Sequence, residues 1–170
     1  MDSVKRFVQR GAGMTTLKPV RPEDRELLWN INQKYLYEMT NFYDNEMDEQ
    51  GNIQYGCFDE YFRDPKRKAF FIMHDEQLAG FVFLNPYSRA GGSPDYCMAE
   101  FTVFPVFRRK HIAAAAVREI FKRFPGKWEI KYNEKNLPAK ALWTGVTAQY
   151  SPAVIHLNEM ETVLQFTVKV

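Results

Sequence analysis

The stretch MAEFTVFPVFRRKHIAAAA, Met98 to Ala116, constrains this chain more than any other. Met98–Phe104 is apolar apart from Glu100 and Thr102 and rich in aromatic and β-branched side chains, so it reads as a buried strand. Pro105 lacks a backbone N–H and ends or splays that strand. From Ile112 onward the residues are strong helix formers, with apolar side chains at Ile112, Ala116, Ile120 and Phe124. Between strand and helix stand Arg108, Arg109, Lys110 and His111. A helix start has unpaired N–H groups and a partial positive charge. Strand, cationic turn and helix start together predict a cradle for a phosphate; the plainer alternative is a solvated basic turn before an amphipathic helix.

Composition sets the frame. A chain of 170 residues, 45% hydrophobic and 15% aromatic, buries enough surface to fold as one domain without disulfides or metals. A net charge of +2 is too small for bulk nucleic-acid binding. No apolar run is long enough to span a bilayer, and the start lacks the apolar core of a secretory signal. Cys57 and Cys97 form no C-x-x-C pair, and free thiols in a reducing cytoplasm are the expected state. The expected organisation is a flexible tail over residues 1–13, with Met14 an alternative start, and a single domain over 14–170.

Thr16–Val20 reads as a short strand. Pro22, Glu23 and Asp24 carry helix-start chemistry, and Leu27, Leu28, Ile31, Tyr35 and Met39 continue at helical spacing across one break. Asn41–Tyr61 is polar, acidic and aromatic, a loop-rich excursion. Ala69–Met73 and Leu78–Leu84 read as strands around a tight turn, and Asn85–Asp95 as an exposed connection. Lys127–Tyr132 is a further strand, Pro138–Val146 a further helix, and Ala153–Leu157 with Thr162–Val168 an antiparallel pair.

Arg108-Arg109-Lys110-His111-Ile112-Ala113 resembles the Q/R-x-x-G-x-G/A pyrophosphate loop of the GNAT acetyltransferase superfamily. Phe101–Phe107 resembles the splayed strand before that loop, and Asn136-Leu137-Pro138-Ala139-Lys140-Ala141-Leu142-Trp143 resembles the family's N-x-x-A-x-x-F-Y helix. The order of elements from Thr16 onward resembles the family's as well. The resemblance implies a mixed α/β (α+β) fold: a mostly antiparallel sheet of six to seven strands, about four flanking helices, and central strands splayed for coenzyme A. It implies acetyl-CoA as cosubstrate, an unidentified primary amine of a small molecule or peptide as acceptor, direct transfer without a covalent enzyme intermediate, and a cytoplasmic protein; a homodimer stays open. The alternatives are a non-catalytic coenzyme A-binding or sensing module and, less in keeping with the charge, a nucleic-acid binder using the clusters at 63–68 and 108–111.

The resemblance assigns the cofactor to Thr102, Val103, Arg108, Arg109, Lys110, His111, Ile112, Ala113, Asn136 and Trp143. His111 stands where the family has its first glycine, a position of positive φ that histidine tolerates better than most residues. Asn136 has a second reading as a helix N-cap. Trp143 stands where the family often has an acidic tyrosine; indole is no useful acid, so Trp143 reads as a packing residue, and Tyr150, Tyr132 or water would protonate the leaving thiolate.

Acetyl transfer needs a neutral amine, and an ammonium of pKa about 10.4 leaves only about one in two thousand neutral at pH 7. Glu100, an acid within an apolar strand, is the candidate base; the alternative is a structural carboxylate. Period-two alternation places it on one face with Met98 and Thr102, opposite Phe101 and Val103. A free N–H in the splay near Val103–Pro105 would polarise the thioester carbonyl. Tyr35, Tyr37, Phe42 and Tyr43, with Asp44, Glu46, Asp48 and Glu49 after them, read as core aromatics and a solvated acidic loop, or as an acceptor site for a cation. No metal-ligand spacing is present among His74, His156 and the cysteines.

Overall fold

The computed structural model describes residues 13–170; most of the expected tail lies outside them. In chain order the elements are β1 (Thr15–Pro19), α1 (Arg25–Met39), β2 (Lys68–His74), β3 (Gln77–Asn85), β4 (Tyr96–Val103), α2 (Ile112–Arg123), β5 (Gly126–Asn133), α3 (Leu137–Thr147), β6 (Ala153–His156) and β7 (Glu161–Val168), with short 3-10 turns between some of them. The seven strands form one sheet in the order β1-β2-β3-β4-β5-β7-β6. Every neighbouring pair is antiparallel except β4 and β5.

Three α-helices flank the sheet among the described residues, where about four were expected. The first runs unbroken from Arg25 to Met39, because no proline or glycine interrupts its apolar spacing. The break expected within Leu27–Met39, which would have made two helices of it, is absent, and 41–61 is the loop expected, with one bridge between Met47 and Ile53 and a 3-10 turn beginning at Asp59.

The sheet has two differently furnished faces. On one, α2 contributes Ile112, Ala116, Val117, Ile120 and Phe121 and α3 contributes Trp143, packed on Ile72, Val82, Met98, Val103, Trp128, Ile130 and Leu164. The other face carries Leu28 and Ile31 of α1 together with Phe58 and Tyr61 over Phe71, Phe81 and Phe83. Aromatic rings dominate that second layer, and Tyr61 stacks on Phe83 with centroids 4.1 Å apart. Removal of this apolar surface from water is the main stabilising term on both faces.

Two irregularities shape the centre. In β3, Ile72 pairs with Gly80 and Met73 with Leu78, leaving Ala79 as an extra residue. Gly80 lies opposite Val103, and a Cβ there would stand 2.0 Å from the Thr102 carbonyl oxygen, so only glycine permits this approach of β3 to β4. In β4, Phe83 pairs with Glu100 but Leu84 pairs with Met98, so Ala99 is the extra residue of a bulge. The bulge overturns the expected alternation: Met98 joins Phe101 and Val103 on the α2–α3 face, while Glu100 points to the α1 face, where Tyr35 and Tyr55 meet it. A bulge shifts the period by one residue, and a regular two-residue count cannot foresee it.

Candidate active site

Strand β4 has two neighbours for only part of its length. Tyr96, Cys97 and Met98 pair with Trp128, Glu129 and Ile130 of β5, and the pairing stops there. The two strands therefore part at the bulge, several residues before the Val103–Pro105 region where the sequence placed the splay. Beyond Met98, β4 is held on one side alone, by β3.

The gap exposes backbone groups of known orientation. The Phe104 N–H donates to the Ala79 carbonyl at 2.8 Å on the β3 side. Ladder bonds alternate along an antiparallel strand, so the Val103 N–H and C=O turn the other way, into the gap. Arg108 fills part of this end. Its Nε donates to the Val103 carbonyl at 2.7 Å, and its terminal nitrogen bridges both oxygens of Glu38 at 2.8 and 2.9 Å. The guanidinium expected on a phosphate thus ties the loop to α1 and to the end of β4.

The loop itself has the backbone of an anion cradle. Arg109 and His111 both lie in the left-handed region, with φ of +60° and +59°, while Lys110 between them does not. Alternation of this kind turns successive N–H groups toward one concavity. His111 caps α2 with its backbone and makes no side-chain cap. The first helical bond runs from the Ala115 N–H to the His111 carbonyl at 3.1 Å, so the N–H groups of Ile112, Ala113 and Ala114 have no partner within the helix. Arg109, Lys110 and His111 are exposed around this opening, and the small side chains after Ile112 leave the N–H groups approachable. These features fit a diphosphate.

Glu100 lies on the unpaired half of β4 with its side chain on the α1 face, deep among protein atoms yet with part of its surface reachable by solvent. Tyr35 of α1 donates its hydroxyl to Oε2 at 2.6 Å, and Tyr55 donates to Oε1 at 3.2 Å. Burial pushes the Glu100 carboxyl above the usual carboxylate range, opposed by the two phenols and by the positive charges of Lys131 and Arg89. Burial and the Glu100 charge push both phenols well above their ordinary range, so they act as donors and stay protonated. Sequence reasoning missed Tyr55 altogether and treated Tyr35 as one of several aromatics; spacing gives no signal for either, since they reach Glu100 across 65 and 45 residues.

Thr102 and Val103 are buried in the open half of β4. Asn136 begins α3, and its side-chain oxygen accepts the Ala139 N–H at 3.2 Å, so the capping role is filled. Trp143 is 5% exposed and meets Phe101 edge to face at 5.2 Å, a packing position. Tyr150 lies elsewhere. Its ring stacks on Phe166 at 5.4 Å and meets Phe121 edge-on at 5.8 Å, drawn into the aromatic cluster around Trp128 at the closed end of β4 and β5. The sheet separates it from Glu100, and Tyr132 is buried on the same face as Tyr150.

Arg67 of the second cationic cluster is held between the rings of Tyr61 and Tyr87, 5.3 and 4.7 Å from their centroids. Burial beside Glu129 pushes the Cys97 thiol up to about 12, which keeps it protonated and unreactive. Among the described residues, no group of three or more His, Cys, Asp or Glu side chains converges as a metal site would require, and no helix is long and apolar enough to cross a membrane.

A family model described as the acetyltransferase (GNAT) family matches residues 27–145. Among solved structures, a GNAT-family acetyltransferase from Streptococcus agalactiae superposes with a TM-score of 0.69 at 11% identity, covering 92% of this chain and 96% of its own. An acetyltransferase from Thermus thermophilus gives 0.65 at 15%, covering 91% and 97%. The ribosomal-protein-S18-alanine N-acetyltransferase of Escherichia coli gives 0.61 at 13%, covering 92% and 96%. At these identities the likeness to each structure is one of fold. No curated protein matches the sequence.

Proposed function

For a chain that belongs to the GNAT acetyltransferase family, we propose that this protein moves an acetyl group from acetyl-CoA to a primary amine by direct attack, with Glu100 as the base. The observation that carries the reading is the placement of Glu100: a carboxylate on the half of β4 that β5 leaves unpaired, turned to the α1 face, with the anion cradle at the start of α2 on the other face. One structural neighbour is by name an N-acetyltransferase of an alanine, which supports nitrogen as the acceptor atom.

The N–H groups at the start of α2 and the turn through Arg109, Lys110 and His111 hold the pyrophosphate. Arg108 contributes by fixing this turn against Val103 and Glu38 rather than by its own charge. The Val103 N–H, facing the gap, donates to the thioester carbonyl oxygen as negative charge gathers there. Acetyl-CoA supplies an activated carbonyl, and its thiolate, of conjugate pKa about 8.5, leaves without a protein acid. That is consistent with a tryptophan at 143 and with Tyr150 on the other face; water delivers the proton. Glu100 removes the proton that an incoming ammonium must lose before it attacks. Cys97, the nearest thiol on β4, stays protonated, which favours a ternary complex over an acetyl-enzyme.

The test is release of free thiol from acetyl-CoA against a panel of amines and peptides. Wild type is expected to turn over with at least one acceptor, and Glu100→Gln to lose about 10²–10⁴-fold at pH 7 with acetyl-CoA affinity unchanged. Binding of acetyl-CoA with no turnover on any amine would favour the alternative of a coenzyme A-sensing module.

A further inference from the structure

The two phenols on Glu100 come from outside the sheet, one from α1 and one from the long segment between α1 and β2. Each ring is wedged against the aromatic layer: Tyr35 meets Phe81 edge-on at 5.7 Å, and Tyr55 lies 5.9 Å from Phe83. Packing thus fixes where the hydroxyls sit, independently of the carboxylate. One phenol would satisfy a buried acid. Two, one on each oxygen, also fix the plane of the carboxylate.

Resting on the reading of Glu100 as base, we propose that Tyr35 and Tyr55 are positioning residues that lock the Glu100 carboxylate in one orientation at the gap and keep it ionised, with Tyr35 the dominant partner. The asymmetry follows from geometry. At 2.6 Å the Tyr35 bond has the length of a charge-assisted O–H to carboxylate bond, while the 3.2 Å of Tyr55 lies beyond the usual range for hydroxyl donors. Each carboxylate oxygen retains a lone pair, so a proton still has a place to arrive.

The groups facing Glu100 explain why phenols suit the task. Lys131 from β5 and Arg89 from the β3–β4 connection help to hold it ionised from a distance, and Lys131 is already paired with Glu161. Tyr43 faces the same space. A lysine or arginine bonded directly to Glu100 would hold its pKa down and weaken it as a base. A phenol donates a hydrogen bond without bringing a formal charge, so it anchors the carboxylate and lowers its pKa less than a directly bonded cation would.

The test combines the single variants Tyr35→Phe and Tyr55→Phe with two readouts on the full chain: the pH–rate profile with saturating acetyl-CoA, and a titration of the Glu100 carboxyl by ¹³C NMR. Loss of the Tyr35 hydroxyl is expected to raise the Glu100 midpoint by about one to two pH units, the shift that a hydrogen bond to a charged acceptor supports. The acidic limb of the rate profile should move with it, so that the loss is largest at low pH and shrinks as pH rises. Tyr55→Phe should do the same more weakly. A uniform loss at every pH with an unmoved titration would make Tyr35 a mere packing residue and overturn the proposal, as would an equal or larger shift for Tyr55→Phe. Should Tyr35→Phe fail to fold, 3-fluorotyrosine at position 35, a stronger donor of nearly equal size, is expected to move the midpoint down; an unmoved midpoint overturns the proposal. If the titration shifts but Glu100→Gln retains full turnover, the anchoring stands and the assignment of Glu100 as base falls.

Discussion

The two halves of β4 belong to one strand and one sheet, yet differ in almost everything that matters for chemistry. Cys97 and Met98 are paired on both edges, and this half is backed by Trp128, which is 1% exposed and set among Tyr96, Phe121 and Phe124. Glu100–Val103 is paired on one edge only, begins at a bulge, and carries a carboxylate on one face and Phe101 on the other. The closed half satisfies its backbone and is finished as structure. The open half has backbone groups and a carboxylate with unfilled capacity, which is what a site for two substrates requires. A single extra residue, Ala99, separates them. It aims Glu100 at α1 and marks the point where β5 departs.

The open half depends on what covers it from the helix side. Trp143 does so through Phe101. Replacing Trp143 by Ala is expected to lower stability by about 3–5 kcal/mol, readable in chemical denaturation, and to weaken acetyl-CoA binding through the displaced strand. A variant that melts normally while turnover collapses would instead place the indole in the chemistry.

A smaller effect sharpens the role assigned to Arg108. Its pair with Glu38 is partly exposed, with side chains 41% and 35% accessible, so Glu38→Gln is expected to lose only about 0.2–1 kcal/mol of ordering in the loop. Acetyl-CoA affinity, measured by calorimetry, should fall slightly for Glu38→Gln and further for Arg108→Ala, which also frees the Val103 carbonyl. Were Arg108 to act on the pyrophosphate directly, Glu38→Gln would release it and tighten binding, the opposite sign.

The smallest effect lies in the turn beyond the open half. His111 holds a left-handed conformation that disfavours a side chain, so His111→Gly is expected to raise stability by up to about 1 kcal/mol. That amounts to roughly 2–4 °C in melting temperature for a domain of this size. Affinity for acetyl-CoA should change little. A clear loss would show that the ring, and not only the backbone, faces the ligand.

Local chemistry determined much of this protein. Pro105, the cations at 108–111 and the alanines behind them announced a strand, a turn and a helix start, because proline, charge and helix propensity act within a few residues. The same locality made the positive φ at His111 and the cap at Asn136 legible. Periodicity set most other strands and helices to within a residue or two, though not the continuity of α1, and the closing pair Ala153–His156 and Glu161–Val168 is antiparallel as its sequence suggested. Only the tertiary structure decided which way Glu100 points, since a bulge arises where two strands negotiate register and leaves no mark on either alone. It alone brought Tyr35 and Tyr55 to that carboxylate, drew Tyr150 to the opposite face, and turned Arg108 from a free cation into a tie between Val103 and Glu38. Those partners are set by side chains arriving from remote segments, and a sequence records the identity of such residues without recording where packing will take them.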